Sequence, residues 1–251
     1  MLPLLLTAIL VGGALQRITG MGFALVAGPF VVLMLGAERG VLLINILGAT
    51  SSLLILLRVR REVDWRKFAF LAAGSVVTTP VAAVLLSGAS GPALEVAVGL
   101  AVVVGMTVAL LADRLRTTHR LWREGARWPT VLAGMVAGVG SVSAGVGGPP
   151  LAAYAVLDRS DPGRFAATLQ PFFVVNAAGS AASKLLLTDA PLPPLDGWQW
   201  AAVAVALVAA SLVGDVVAKH VPRTAVRRVL IVVAYLGGTA TLMRGLGVLP
   251  G

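Results

Sequence analysis

The sequence predicts an all-α polytopic membrane protein made of two inverted repeats, each a re-entrant or broken helical hairpin followed by three transmembrane helices. Three observations lead there. The 251-residue chain is 58% hydrophobic and only 12% charged, too apolar for a soluble domain. Its lysines and arginines gather in short loops between apolar runs. Two glycine-rich stretches, Gly20-Met21-Gly22 and Gly145-Val146-Gly147-Gly148-Pro149-Pro150, interrupt apolar sequence where a simple span would continue.

In chain order, the apolar runs cover residues 2–16, 23–36, 40–57, 68–87, 92–112, 128–143, 149–157, 165–187, 198–218 and 224–243. A helix rises about 1.5 Å per residue, so a span needs roughly 20 residues. Six runs meet that length. The four that flank the glycine stretches fall short and read as two broken hairpins. Glycine favours a backbone turn, and proline suits the first position of a new helix, so each stretch reads as a helix end followed by a helix start. Met1 to Gly13 resembles the core of a signal peptide but lacks a basic segment before it, so it is expected to stay in place.

Loop charge sets an expected orientation, because lysine and arginine are retained on the cytoplasmic side. Sixteen of the 20 basic residues lie at 58–67, 114–127, 159–164 and 219–228, whereas 88–91 and 188–197 hold none. The first group is therefore cytoplasmic and the second external. Residues 2–36 then leave and re-enter the outer face, 128–157 do the same at the inner face, and both termini are external. Trp198 and Trp200 at one interface, with Trp65, Trp122 and Trp128 at the other, fit aromatic belts.

An internal repeat points the same way. A shift of 125 residues lays Gly145 on Gly20, Gly147 on Gly22, Gln170 on Asn45 and Asn176 on Ser51. Residues 1–125 and 126–251 form the two halves. Each carries an odd number of full spans, so one must sit upside down relative to the other, as in many secondary transporters.

Gly20-Met21-Gly22-Phe23 with Pro29, Gly145-Val146-Gly147-Gly148 with Pro150, and the Asp64-Trp65 opening of the fourth run resemble the TauE/SafE, or TSUP, family of membrane permeases. The resemblance covers nearly the whole chain in order. It implies movement of sulfite, organosulfonates or other small organic anions. Ala24, where a third glycine is frequent, and Pro149 depart from the commoner pattern and leave the anion open.

The residues offer a site of matching chemistry. A helix start presents free N–H groups and the positive end of the macrodipole, which together bind anions without a formal charge. Gly20, Met21 and Gly22 at one break, and Gly145, Gly147, Gly148 and Pro149 at the other, are thus candidate substrate-binding positions. The alternative is that these glycines only permit close packing, as in the small-xxx-small spacing of Gly134 and Gly138. Asn45, Ser52, Gln170 and Asn176 are buried-polar candidates for the same anion, with interhelical hydrogen bonding as the competing reading. Arg17 would attract anions, or else snorkel or meet a carbonyl. Pro80 is a candidate hinge, and Asp215 a candidate for proton coupling. Lys184 and Asp215 fall at different depths and are not expected to pair.

Other classes are disfavoured. Both histidines, His119 and His220, fall in loops, no cysteine is present, and the glycine clusters lack the Lys-Ser/Thr of a phosphate loop. The net charge of +9 is a topology signal and not a nucleic-acid footprint, since its carriers sit between apolar runs. The expected partners are a small anionic substrate, the lipid bilayer and a coupling proton or cation. No nucleic acid, metal or cofactor is called for. The reading is a secondary transporter of small anions in the cytoplasmic membrane, with a channel of the same topology or a non-transporting scaffold subunit as alternatives.

Overall fold

The computed structural model describes residues 2–89, 91–114, 122, 126–188, 190–220 and 223–249. Among these residues all regular structure is helical. The elements are α1 (Leu2–Thr19), α2 (Phe23–Leu35), α3 (Ala37–Val59), α4 (Trp65–Leu86), α5 (Gly91–Arg114), α6 (Trp128–Ala144), α7 (Gly148–Leu157), α8 (Pro162–Leu187), α9 (Gly197–His220) and α10 (Arg223–Gly245). Ten apolar runs thus become ten helices. Most of the expected basic loop at 114–127, with His119, lies outside the described residues, as do Ser90 and the side chains of Arg223 and Arg227.

Among the described residues, five helices are long and apolar enough to cross a membrane: α1, α3, α4, the Gly91–Val108 part of α5, and α9. One expectation changes here. The run at 2–16 was too short to span, yet α1 continues through Gln16 and Arg17 to Thr19 and reaches 18 residues. Both polar side chains find partners at that end, so the helix need not stop where the apolar sequence does. Helices α2, α6 and α7 stay short, at 13, 17 and 10 residues. Helix α8 has 26 residues, but Gln170, Asn176 and Ser180 interrupt its apolar sequence and are buried.

Local chemistry fixes the starts. The Asp64 carboxylate accepts from the Lys67 amide at 3.0 Å, capping α4, and Asp161 accepts from the Arg164 amide at 2.8 Å, with Pro162 opening α8.

The helices pack in a reciprocal pattern. Helix α4 lies on α6 as α1 lies on α9, α2 leans on α10 as α7 leans on α5, and α3 and α5 pair with α8 and α10. In lipid the apolar effect does not drive helices together, so close van der Waals fit must. Glycine supplies it at the tightest crossing. A Cβ at Gly134 would stand 2.0 Å from the Leu71 carbonyl oxygen, so α6 can touch α4 only because that side chain is absent. The packing role weighed for Gly134 and Gly138 is therefore real at that pair.

Candidate functional site

The site is built from the two breaks. Helix α1 ends as the Gly20 amide bonds the Gln16 carbonyl at 2.7 Å, with Gly20 at φ +81°. Helix α6 ends at Gly145, φ +69°, whose amide reaches the Ser141 carbonyl at 2.9 Å while the Val146 amide reaches that of Gly140 at 3.1 Å. The Gly145 bond is the single amide-to-carbonyl link of an αL cap, and the Val146 bond reaches back to the preceding turn. Both glycines adopt a left-handed conformation that a side chain would strain.

Each break then starts a half-helix. Gly22 precedes α2, whose first bond inside the helix is Val26 amide to Gly22 carbonyl, 3.1 Å, leaving the amides of Phe23, Ala24 and Leu25 at the open end. Gly147 precedes α7, where Gly148 contributes an amide but Pro149 and Pro150 contribute none. The two starts meet. A Cβ at Gly148 would sit 3.9 Å from the Cβ and carbonyl oxygen of Met21 and from Leu25 Cδ1.

Between them lies a cavity of about 40 Å³. Gly22, Gly145, Gly147 and Gly148 line it from the breaks, and Asn45, Gly48 and Ser52 from α3. Gln16, Ser141 and Asn176 add further polar groups, while Met21, Phe23, Leu25, Ile44 and Phe173 make the rest of the wall largely apolar. None of the lining residues carries a charge, so any anion there would be held by amide dipoles and helix ends.

The side chains divide into two kinds. Asn45 is fully engaged: Nδ2 donates to the Val41 and Ser141 carbonyls at 2.9 and 3.0 Å, and Oδ1 accepts from the Ser141 hydroxyl at 2.7 Å. It ties α3 to the last turn of α6. Ser52 accepts from Gln16 Nε2 at 2.8 Å, while Gln16 Oε1 has no partner among the described residues. Asn176, only 2% exposed, is different. Its Nδ2 lies 3.0 Å from where a Cβ of residue 147 would be, and its Oδ1 is buried without a partner among the described residues.

A family model described as Sulfite exporter TauE/SafE matches residues 4–241. The chain belongs to the TauE/SafE family. It is thus a multi-pass membrane protein of the sulfite-exporter type. No curated protein and no solved structure matches it.

Within this TauE/SafE chain the structure gathers Met21, Gly22, Asn45, Ser52, Gly145, Gly147, Gly148 and Asn176 around one cavity. Gly20, Pro149 and Gln170 do not line it. Gly20 turns its α-carbon toward Ala166 of α8, and Gln170 Nε2 donates to the Gly20 carbonyl at 3.0 Å, bracing the break from behind. Pro149 lies against α5, its Cβ 2.6 Å from where a Cβ of Gly105 would stand. Sequence reasoning missed Gln16 and Ser141. Gln16 carried a usable signal, as the sole amide side chain in the first apolar run.

The charged candidates lie apart. Arg17, expected to snorkel, meet a carbonyl or attract anions, instead pairs with Asp215 of α9 at 2.7 Å, and Arg58 at the end of α3 binds the same carboxylate. Lys184 forms no ion pair with Asp215, whose carboxylate is taken by Arg17 and Arg58. Pro80 sits inside α4, which continues through it. At the Arg58 end, Lys67 meets Asp158 at 2.8 Å and Ser160 at 2.9 Å, and Trp122 Nε1 donates to Asp158 at 3.1 Å. Burial pushes the Asp158 carboxyl up, but the hydrogen bonds from Lys67, Trp122 and Ser160 outweigh it and hold the group below its ordinary 3.8.

Proposed function

We propose that the protein is a secondary transporter that moves a small oxyanion, sulfite before larger organosulfonates or organic acids, across the cytoplasmic membrane by alternating access. One observation carries this reading: two half-helix N-termini, from opposite halves of the chain, open onto one uncharged cavity beside the buried amide of Asn176.

Size favours the smaller anions. A single water needs roughly 10–15 Å³ of cavity. The cavity, at about 40 Å³, is a small space, nearer to a compact inorganic oxyanion than to taurine or sulfoacetate. The amides of Phe23, Ala24, Leu25 and Gly148 would serve as donors, with Asn176 Nδ2 beside them. The reciprocal packing of α4–α6 with α9–α1, and of α2–α10 with α7–α5, supports two inverted halves rocking about this point. In that arrangement the end bearing Arg58, Lys67 and Asp158 faces the cytoplasm and the Arg17–Asp215–Arg58 cluster closes the inner side.

The test is thermal unfolding of the purified protein with sulfite, sulfate, thiosulfate, taurine, sulfoacetate or lactate. Sulfite is expected to raise Tm in proportion to its excess over Kd. Gly148→Ala is the informative variant, since its methyl group would meet neighbours only at 3.9 Å and should fold while filling the cavity. The shift should vanish in it. Loss of the idea would result if no anion acts on the wild type, or if Gly148→Ala responds as the wild type does.

A further inference from the structure

We propose that the protein binds a sodium ion where α4, α6 and α8 pack together, through Ser75 Oγ, Thr79 Oγ1, Ser180 Oγ and Asn176 Oδ1. Hydroxyls inside a helix ordinarily donate to the carbonyl one turn back. Thr50, Thr107, Ser143, Thr168 and Thr241 all do so here, at 2.7–2.9 Å. Ser75, Thr79 and Ser180 do not. Each is at most 2% exposed, and each oxygen lacks a partner among the described residues, as does Asn176 Oδ1. Orphaned buried polar atoms are rare enough to call for a missing partner.

The donor set indicates which partner. All four atoms are neutral oxygens, arranged as two i, i+4 pairs on helices that pack against each other. Oxygen-only ligands suit a hard cation, and the absence of a carboxylate among them suits a single charge better than a double one. The backbone contributes further. A Cβ at Gly138 would stand 3.0 Å from Thr79 Oγ1 and 3.1 Å from Ser75 Cα, so this glycine lets the α4 hydroxyls lie directly on α6. Helix α6 brings its negative, carbonyl-bearing end into the protein just beyond. Pro80 has no N–H, which leaves the Val76 carbonyl, in the same turn as Ser75 and Thr79, without its helical donor.

Asn176 joins the two sites. A cation held at Oδ1 fixes the amide so that Nδ2 faces Gly147 and the anion cavity, and bound anion favours the same orientation. Sodium and oxyanion then strengthen each other's binding. The cation site stands on its own observations, but this coupling rests on the anion reading above.

The full chain, purified without added oxyanion, is unfolded thermally in sodium, potassium or choline chloride at equal concentration. Sodium is expected to raise Tm saturably, by about 3–5 °C at ten times Kd, with less effect from potassium and none from choline. Ser75→Ala and Ser180→Ala each remove an orphaned hydroxyl. Both should therefore keep their Tm in choline and lose the sodium response. Equal Tm in the three salts, a potassium response as large as that of sodium, or a sodium response intact in both variants overturns the site. A second arm titrates choline sulfite with and without sodium, where about tenfold tighter binding in sodium is expected. Sodium stabilisation with unchanged sulfite affinity overturns the coupling alone. Sodium stabilisation with no response to any oxyanion upholds the cation site and sinks the anion reading.

Discussion

The two breaks make the same backbone reversal with different chemistry. Both end a helix on a left-handed glycine and start a new helix within three residues. The first, at Gly20, is rich in donors, because Phe23, Ala24 and Leu25 all keep their N–H groups. The second begins with Gly148 and then two prolines, so it surrenders two donors in exchange for a rigid start. Asn176 stands where those donors are missing, next to Gly147. The bracing differs as well. Gly20 is held from behind by Gln170 of α8, whereas the second break is held from the front by Asn45, which grips Ser141. The number of free N–H groups at a helix N-terminus thus depends on the residues that come after its glycine.

The largest expected difference between the breaks is steric. Gly20→Ala would place a Cβ 2.7 Å from Ala166 Cβ and 3.3 Å from its Cα, at a φ that already strains an L residue. Left-handed strain of about 1–2 kcal/mol and overpacking of about 1–3 kcal/mol together predict a loss of roughly 2–5 kcal/mol. Gly145→Ala has the same backbone strain, but its one tight contact is the Ile44 Cγ2 methyl at 3.1 Å, the end of a side chain, so about 1–2 kcal/mol is expected. Unfolding of both variants in detergent measures the gap. Ala166→Gly should rescue much of the first and none of the second; equal losses, or no rescue, would show that the two breaks are not constrained as described.

A smaller contrast separates the two braces. Asn45→Ala leaves the Ser141 hydroxyl without its acceptor and removes the only side-chain link between α3 and that turn among the described residues, at a cost of about 1–3 kcal/mol. Gln170→Ala strips the Gly20 carbonyl of one donor but also deletes a buried, unpartnered Oε1, so about 0.5–1.5 kcal/mol is expected. Thermal stability of the pair decides it. The reverse order would make Gln170 the principal brace.

Much of this was legible in the sequence, for definite reasons. Apolar runs bounded by charge and glycine gave the ten helices, since length and polarity alone decide them. Buried amides in apolar sequence were visible as expensive, so Asn45 and Asn176 could be singled out. Their fates could not, because whether an amide is spent on a neighbouring helix or left facing a cavity depends on which turn it meets. Gly20 and Pro149 read as binding candidates in the sequence because they sit in the glycine breaks, yet a helix start has faces, and theirs point to Ala166 and Gly105. The Arg17–Asp215 pair spans most of the chain and required α1 to extend past its apolar run. Loop charge counting cannot supply that length.

The far ends of the two half-helices provide the finest distinction. Helix α2 is held there through a carbonyl, that of Leu33, which accepts from Arg244 and does not titrate. Helix α7 is held through Asp158, which does. Its carboxyl lies below the ordinary 3.8 in the folded state, so its contribution is fully present above that value and is lost as pH falls through the folded one. The wild type should therefore lose stability on acidification from about pH 5 to pH 3, and changes between pH 6 and 8 should leave this contact untouched. Asp158→Asn should melt about 2–4 °C lower at pH 7 and show a shallower acid slope, because the amide cannot be protonated in that range. An unchanged slope would place the acid sensitivity elsewhere and leave Asp158 without a share in holding α7. A shallower slope with sulfite binding intact at pH 7 would show that the far end anchors the half-helix without shaping its cavity-facing start.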